Sequence, residues 1–145
     1  MRTKEFLSQL DDERIVAAIA AAEAQTSGEI RVYIQRGEIA DDPLEFAQKK
    51  FQELGMTKTT ARNAILLLVA PRARKFAVVG DEGIHQKCSE EFWEQLVEEM
   101  RAHFKNENFT EALVHGIKSA GDLLARYFPR SAADKNELPD NVIGD

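Results

Sequence analysis

Four oxygen-bearing side chains, Glu29, Asn63, Asp81 and Glu82, fall beside apolar strand-like runs, and carboxylate and amide oxygens brought together bind hard divalent cations. Gly80 and Gly83 bracket the last two; they let the backbone turn tightly and offer carbonyl oxygens. A metal held there could polarise a phosphoryl oxygen or activate a bound water. Only three carboxylates are available, and no nucleophile stands beside a base, so no catalytic residue is assigned.

The elements that would position these residues are legible from periodicity. Ile15, Ala18, Ile19 and Ala22 recur at helical spacing after Asp11-Asp12, and Thr26-Ser27-Gly28 ends that helix. From Glu29 the period becomes two, with Ile30, Val32 and Ile34 on one face. Residues 37–42 read as a loop, with Asp41-Asp42 as capping residues; Asp42-Pro43 starts a helix lined by Leu44, Ala47, Phe51 and Leu54 and closed by Gly55. Ala64 to Val69 is apolar on both faces, as in a central strand covered on both sides. Pro71 to Arg74 turns the chain into Phe76 to Val79, an antiparallel partner. Two helices follow. The first is capped by Ser89 and lined by Phe92, Trp93, Leu96, Val97, Met100 and Phe104; the second runs from Thr110 to the stop at Pro129.

The order α-β-α-β-β-α-α predicts a three-layer α/β/α sandwich around a small mixed sheet, with a parallel β-α-β unit plus an antiparallel hairpin strand. Residues 1–128 form one domain, and 129–145, which lack periodicity, are expected to be a mobile C-terminal tail. In this topology Glu29 and Asn63 lie at strand starts and Asp81 at a strand end on the same sheet edge. A hairpin centred near Arg72 sets Asn63 opposite Asp81. Strands ~4.8 Å apart and calcium–oxygen distances of ~2.3–2.6 Å allow one ion to be shared by Glu29, Asn63, Asp81 and Glu82. Asp81-Glu82-Gly83 is equally good chemistry for an ordinary turn.

Composition limits the alternatives. The 19 basic and 25 acidic residues give a net charge of −6, which argues against a nucleic-acid-binding face. A single cysteine, Cys88, makes no internal disulfide and no thiolate cluster; it reads as a half-buried thiol near a helix start. No apolar stretch approaches the ~20 residues of a membrane span, so no direct membrane insertion is expected and the chain reads as cytoplasmic. His85 reads as a loop residue, His103 and His115 as helical residues without a spaced partner, Trp93 as core, and Arg62 as either a phosphate contact or an exposed charge.

Ser27 to Val32, Arg62 to Leu67, Arg74 to Ile84 and Phe92-Trp93, in that order and spacing, resemble the TPM domain family, which groups thylakoid-lumen phosphatase-like, photosystem II repair and acetylcholine-receptor modulator proteins. The match runs from Phe6 to Phe128 and is similar to the short, stand-alone bacterial branch. The resemblance implies an α/β/α sandwich and an acidic cleft that binds calcium or a similar divalent ion in some members. It associates weak acid phosphatase activity with the plant branch, and assembly or repair of membrane complexes with others. Carried onto this chain, it implies Glu29 and Asp81 as main metal ligands, with Asn63 and Glu82 in support. The expectation is thus a calcium-binding domain. A slow, metal-assisted phosphomonoester hydrolase and a protein-interaction or assembly module are the alternatives.

Overall fold

A computed structural model describes residues 1–39, 42–130 and, for the backbone, 142–144. Of the expected 37–42 loop, residues 40 and 41 lie outside the described residues, and with them half of the Asp41-Asp42 cap.

The sheet is built on β2 (Ala64–Ala70), whose seven residues are all buried. A strand buried on both faces must be covered on both faces. β1 (Glu29–Ile34) pairs parallel to it, Glu29 opposite Ala64. β3 (Lys75–Gly80) pairs antiparallel on the other side. On one face Ile30, Val32, Ile34, Ile65, Leu67 and Val69 pack under four helices. These are α1 (Thr3–Ser8), α2 (Asp12–Glu23), α5 (Glu90–Lys105) and α6 (Phe109–Tyr127). On the other face Tyr33, Ala64, Leu66, Leu68, Ala77 and Val79 meet Ala47 and Phe51 of α3 (Pro43–Glu53). The expected three layers are present, with α3 alone covering the second face.

Of the three helix caps expected at Asp11-Asp12, Asp42 and Ser89, two form. Asp42 accepts the N–H groups of Leu44 and Glu45, and Asp11 that of Arg14. Ser89 holds the N-cap position of α5 without a side-chain cap hydrogen bond.

Three elements go beyond the expected order. The six-residue α1 is held by distant packing: Phe6 is buried with its ring 4.9 Å from that of Phe109. The one-turn α4 (Glu82–His85) replaces what reads as a bare turn. β4 (Val142–Gly144) lies parallel to β1, giving the order β3-β2-β1-β4. This strand falls where a mobile tail was expected; Pro129 also bridges to Thr26, and the remainder of 131–145 lies outside the described residues.

The hairpin register also corrects an expectation. Ile65 pairs with Gly80 and Ala70 with Lys75, around the loop of residues 71–74. The turn is therefore centred between Arg72 and Ala73, one half-step beyond Arg72, and the pairing moves by one residue. Asp81 donates its N–H to the carbonyl of Ala64 at 3.0 Å, rather than lying opposite Asn63. A one-residue shift exchanges the two faces of a strand.

The start of β1 is pinned from two sides. Thr26 Oγ1, fully buried, accepts the Gly28 N–H at 3.0 Å and reaches the carbonyls of Leu124 and Phe128 in α6 and its C-cap. Pairing with β4 begins at Val32, and the outward N–H of Ile30 donates instead to Glu23 Oε2 at 2.8 Å. Glu23→Ala removes that acceptor and is expected to cost about 1–3 kcal/mol, with Glu23→Gln recovering most of it. Urea unfolding of the two variants checks this; equal stabilities would remove the edge role from Glu23.

Candidate functional site

The edge at which β1 and β2 begin and β3 ends carries the acidic residues. Glu29, Ala64 and Asp81 form a row across it. Glu29 and Arg31 alternate with Ile30 and Val32, so they share the α3 face with Tyr33. Glu29 is 1% exposed. Burial pushes the Arg31 guanidinium below its ordinary value, while Glu29 and Glu23 oppose that shift.

Asp81 is gripped by Arg62. Nε donates to Oδ2 at 2.7 Å and Nη2 to Oδ1 at 2.9 Å, the two-pronged geometry that suits a guanidinium to a carboxylate. Arg62 Nη1 also donates to Glu82 Oε1 at 3.2 Å. Asp81 Oδ1 accepts the Glu82 N–H at 2.8 Å as well, so the same carboxylate caps α4. Hydrogen bonding to Asp81 raises Arg62 above its ordinary value. Asp81 is 6% exposed, whereas the Glu82 side chain is 64% exposed and faces water.

The backbone around this clamp is tightly fitted. Arg62 has φ +53°, a conformation uncommon outside glycine. Its N–H donates to the Thr59 carbonyl and its carbonyl accepts the Gly83 N–H at 3.0 Å. A Cβ at Gly83 would lie 2.2 Å from the Ala61 oxygen, which is why only glycine fits there.

The structure therefore groups Asp81 and Glu82 around one guanidinium and sets Glu29 on the same face, across the small Ala64. Asn63 goes the other way. Alternation carries it with Ile65 to the α5–α6 face, its Nδ2 donates to Ser27 Oγ at 3.2 Å, and its buried Oδ1 has no hydrogen-bond partner among the described residues. This divergence follows from the register shift. Among the described residues, no group of three or more His, Cys, Asp or Glu is arranged to hold a metal ion.

The remaining candidates sort into packing roles. Burial raises the Cys88 thiol above its ordinary value, so the neutral thiol is favoured. His85 stacks on Trp93 with centroids 5.2 Å apart. Trp93 covers Gly80, where a Cβ would meet its ring at 2.6 Å.

Sequence reasoning missed a pairing between helices. His103 on α5 and His115 on α6 lie with ring centroids 5.6 Å apart, and His115 Nε2 contacts Glu99 Oε2. The only trace in the sequence is the four-residue step from Glu99 to His103, which puts them on one helix face.

With this geometry in place, comparison with known proteins defines the class. The TPM domain family model matches residues 1–123, and the chain belongs to that family. It is similar to the BA42 protein of the psychrophilic bacterium Bizionia argentinensis, known from an NMR structure, at 37% identity and a TM-score of 0.85 over 94% of this chain and 96% of that one. The N-terminal domain of the cg2496 protein from Corynebacterium glutamicum shares the fold at 16% identity and a TM-score of 0.65, over 91% of this chain and 85% of that one. No curated protein matches the chain. No helix among the described residues is long and apolar enough to cross a membrane.

The Glu99–His115 contact has a measurable signature. The hydrogen bond from His115 holds the Glu99 carboxyl below its ordinary range, with Gln95 adding a smaller effect. A depressed carboxyl contributes stability that is present above its unfolded value and lost as pH falls through the folded one. The Glu99 carboxyl carbon in an NMR titration should therefore have its midpoint below the ordinary glutamate value, and His115→Gln should move it upward. A wild-type midpoint at or above that value would mean that the pair does not form.

Proposed function

We propose that this TPM domain binds a divalent cation, calcium first, at the Asp81–Glu82 pair, with Arg62 holding the position until the ion arrives. The supporting observation is the clamp itself: two carboxylates already converge on one positive group. Calcium accepts irregular sets of six to eight oxygens, so the two carboxylates, a backbone carbonyl and water suffice without a preformed cage. Glu29, on the same face across Ala64, adds negative potential. Asn63 serves the ion only by turning from Ser27, so its expected part is reduced to supporting the strand start.

A competing internal cation fixes the energetics. The incoming ion must displace a guanidinium bonded in two-pronged fashion to a nearly buried carboxylate, so affinity is modest in the wild type and rises when Arg62 is removed. The phosphomonoesterase reading would use the same carboxylates, with Arg62 as a phosphate fork. It ranks second because Arg62 and Asp81 are already engaged with each other.

Calcium titration of chelator-stripped protein, followed by backbone amide shifts and calorimetry, tests the reading. Saturable shifts are expected at Arg62 and residues 81–83, with binding about tenfold tighter in Arg62→Ala. Glu82→Gln, at an exposed position, should weaken binding without unfolding the domain. No saturable shift in either wild type or Arg62→Ala up to about 10 mM calcium would rule the site out.

A further inference from the structure

The opposite end of the sheet carries a second site of different character. A cavity of about 670 Å³ opens where β2 ends at Val69-Ala70 and β3 begins at Lys75-Phe76. That volume lies within the range of small-ligand pockets, and ligands of open α/β sheets bind beyond the carboxyl ends of parallel strands. The floor is aromatic and continuous. Phe6 lies 4.9 Å from Phe109, Phe109 lies 6.4 Å from Phe104, and Phe104 lies 4.8 Å from Phe76, centroid to centroid. Phe76 and Phe104 are only partly buried, so their rings are available.

The rim is basic in a chain whose net charge is −6. Arg74, Lys75, Arg101 and Lys105 line it against one acid, Glu107. Arg101 is engaged: it pairs with Glu98 and lies over the Phe76 ring, 5.8 Å from its centroid. Arg74, Lys75 and Lys105 are exposed and have no carboxylate partner among the described residues. The 19-residue α6 starts at this cavity, and its N-cap, Asn108, makes no side-chain cap hydrogen bond, so the positive end of a long helix adds to the field. Arg74 and Glu107 also hold φ of +55° and +58°, costly conformations for non-glycine residues that concentrate at ligand sites.

We infer that this cavity binds a small organic anion with an aromatic body, its rings on the phenylalanine floor and its carboxylate or phosphate head against Arg74, Lys75 and Lys105. Neither half is sufficient alone: the floor has no use for a simple inorganic anion, and the three cations have no use for a neutral hydrocarbon. The proposal does not rest on the cation site, which lies at the other edge of the sheet.

Naphthalene-2-carboxylate is a suitable probe because it is not hydrolysable, and a chelator in the buffer keeps the acidic edge out of the measurement. Amide NMR shifts and calorimetry are expected to show one saturable site with a Kd at or below about 1 mM. The shifting residues should be 69–76 and 101–109, with 81–83 unmoved. Naphthalene-2-carboxamide and inorganic phosphate should each bind about tenfold more weakly or worse. Lys75→Glu combined with Lys105→Glu should cost about tenfold or more in affinity at an unchanged Tm, since both side chains are exposed. Equal binding of the neutral carboxamide, wild-type affinity in the double variant, or shifts clustered elsewhere would each overturn the assignment.

Discussion

Everything in this fold answers to the burial of β2. Its seven residues have no solvent-facing side, so its backbone groups must be paired on both flanks and its side chains covered above and below. Pairing brings in β1 and β3; covering brings in α3 on one side and the α1, α2, α5 and α6 layer on the other. The ends of β2 are where the constraint relaxes, and both candidate sites lie at those ends.

The two ends carry opposite charge. Glu29, Asp81 and Glu82 gather where β1 and β2 begin; Arg74, Lys75 and Lys105 gather where β2 stops. The acidic end is partly neutralised from within by Arg62, which pairs with Asp81, and by the charge of Arg31, which Glu29 and Glu23 favour. The basic end is left largely uncompensated and lined with rings. A chain with an acidic total thus keeps a localised positive pole, a property of placement that composition does not convey.

Most of the framework was legible because long elements declare their period. The alternation of Ile30, Val32 and Ile34, the unbroken Ala64 to Val69 run and the apolar stripes of α5 and α6 all led to the observed layers. The missed elements are those that local sequence does not stabilise. α1 depends on Phe109, a hundred residues away, and α4 on a carbonyl of Arg62. β4 has only three paired residues. At the site, the residue types were recognisable but their directions were not. One residue of hairpin register separates an Asn63 facing Asp81 from an Asn63 facing Ser27. Arg62 was recognisable as a charge near the edge, but its part as the partner of Asp81 rests on a left-handed backbone that no pattern announces.

Arg62 is fastened twice by one short segment. Its carbonyl is tied to the Gly83 N–H, while its guanidinium is tied to Asp81 and Glu82. The two attachments are independent: rotation about the side-chain bonds releases the second and leaves the first intact. The arginine therefore works like a gate arm on a fixed post, able to swing clear of the carboxylates while the loop that bears it stays in place. Access to the carboxylates at this edge is then a matter of a side-chain rotation that breaks the Asp81 and Glu82 contacts, rather than of opening a loop.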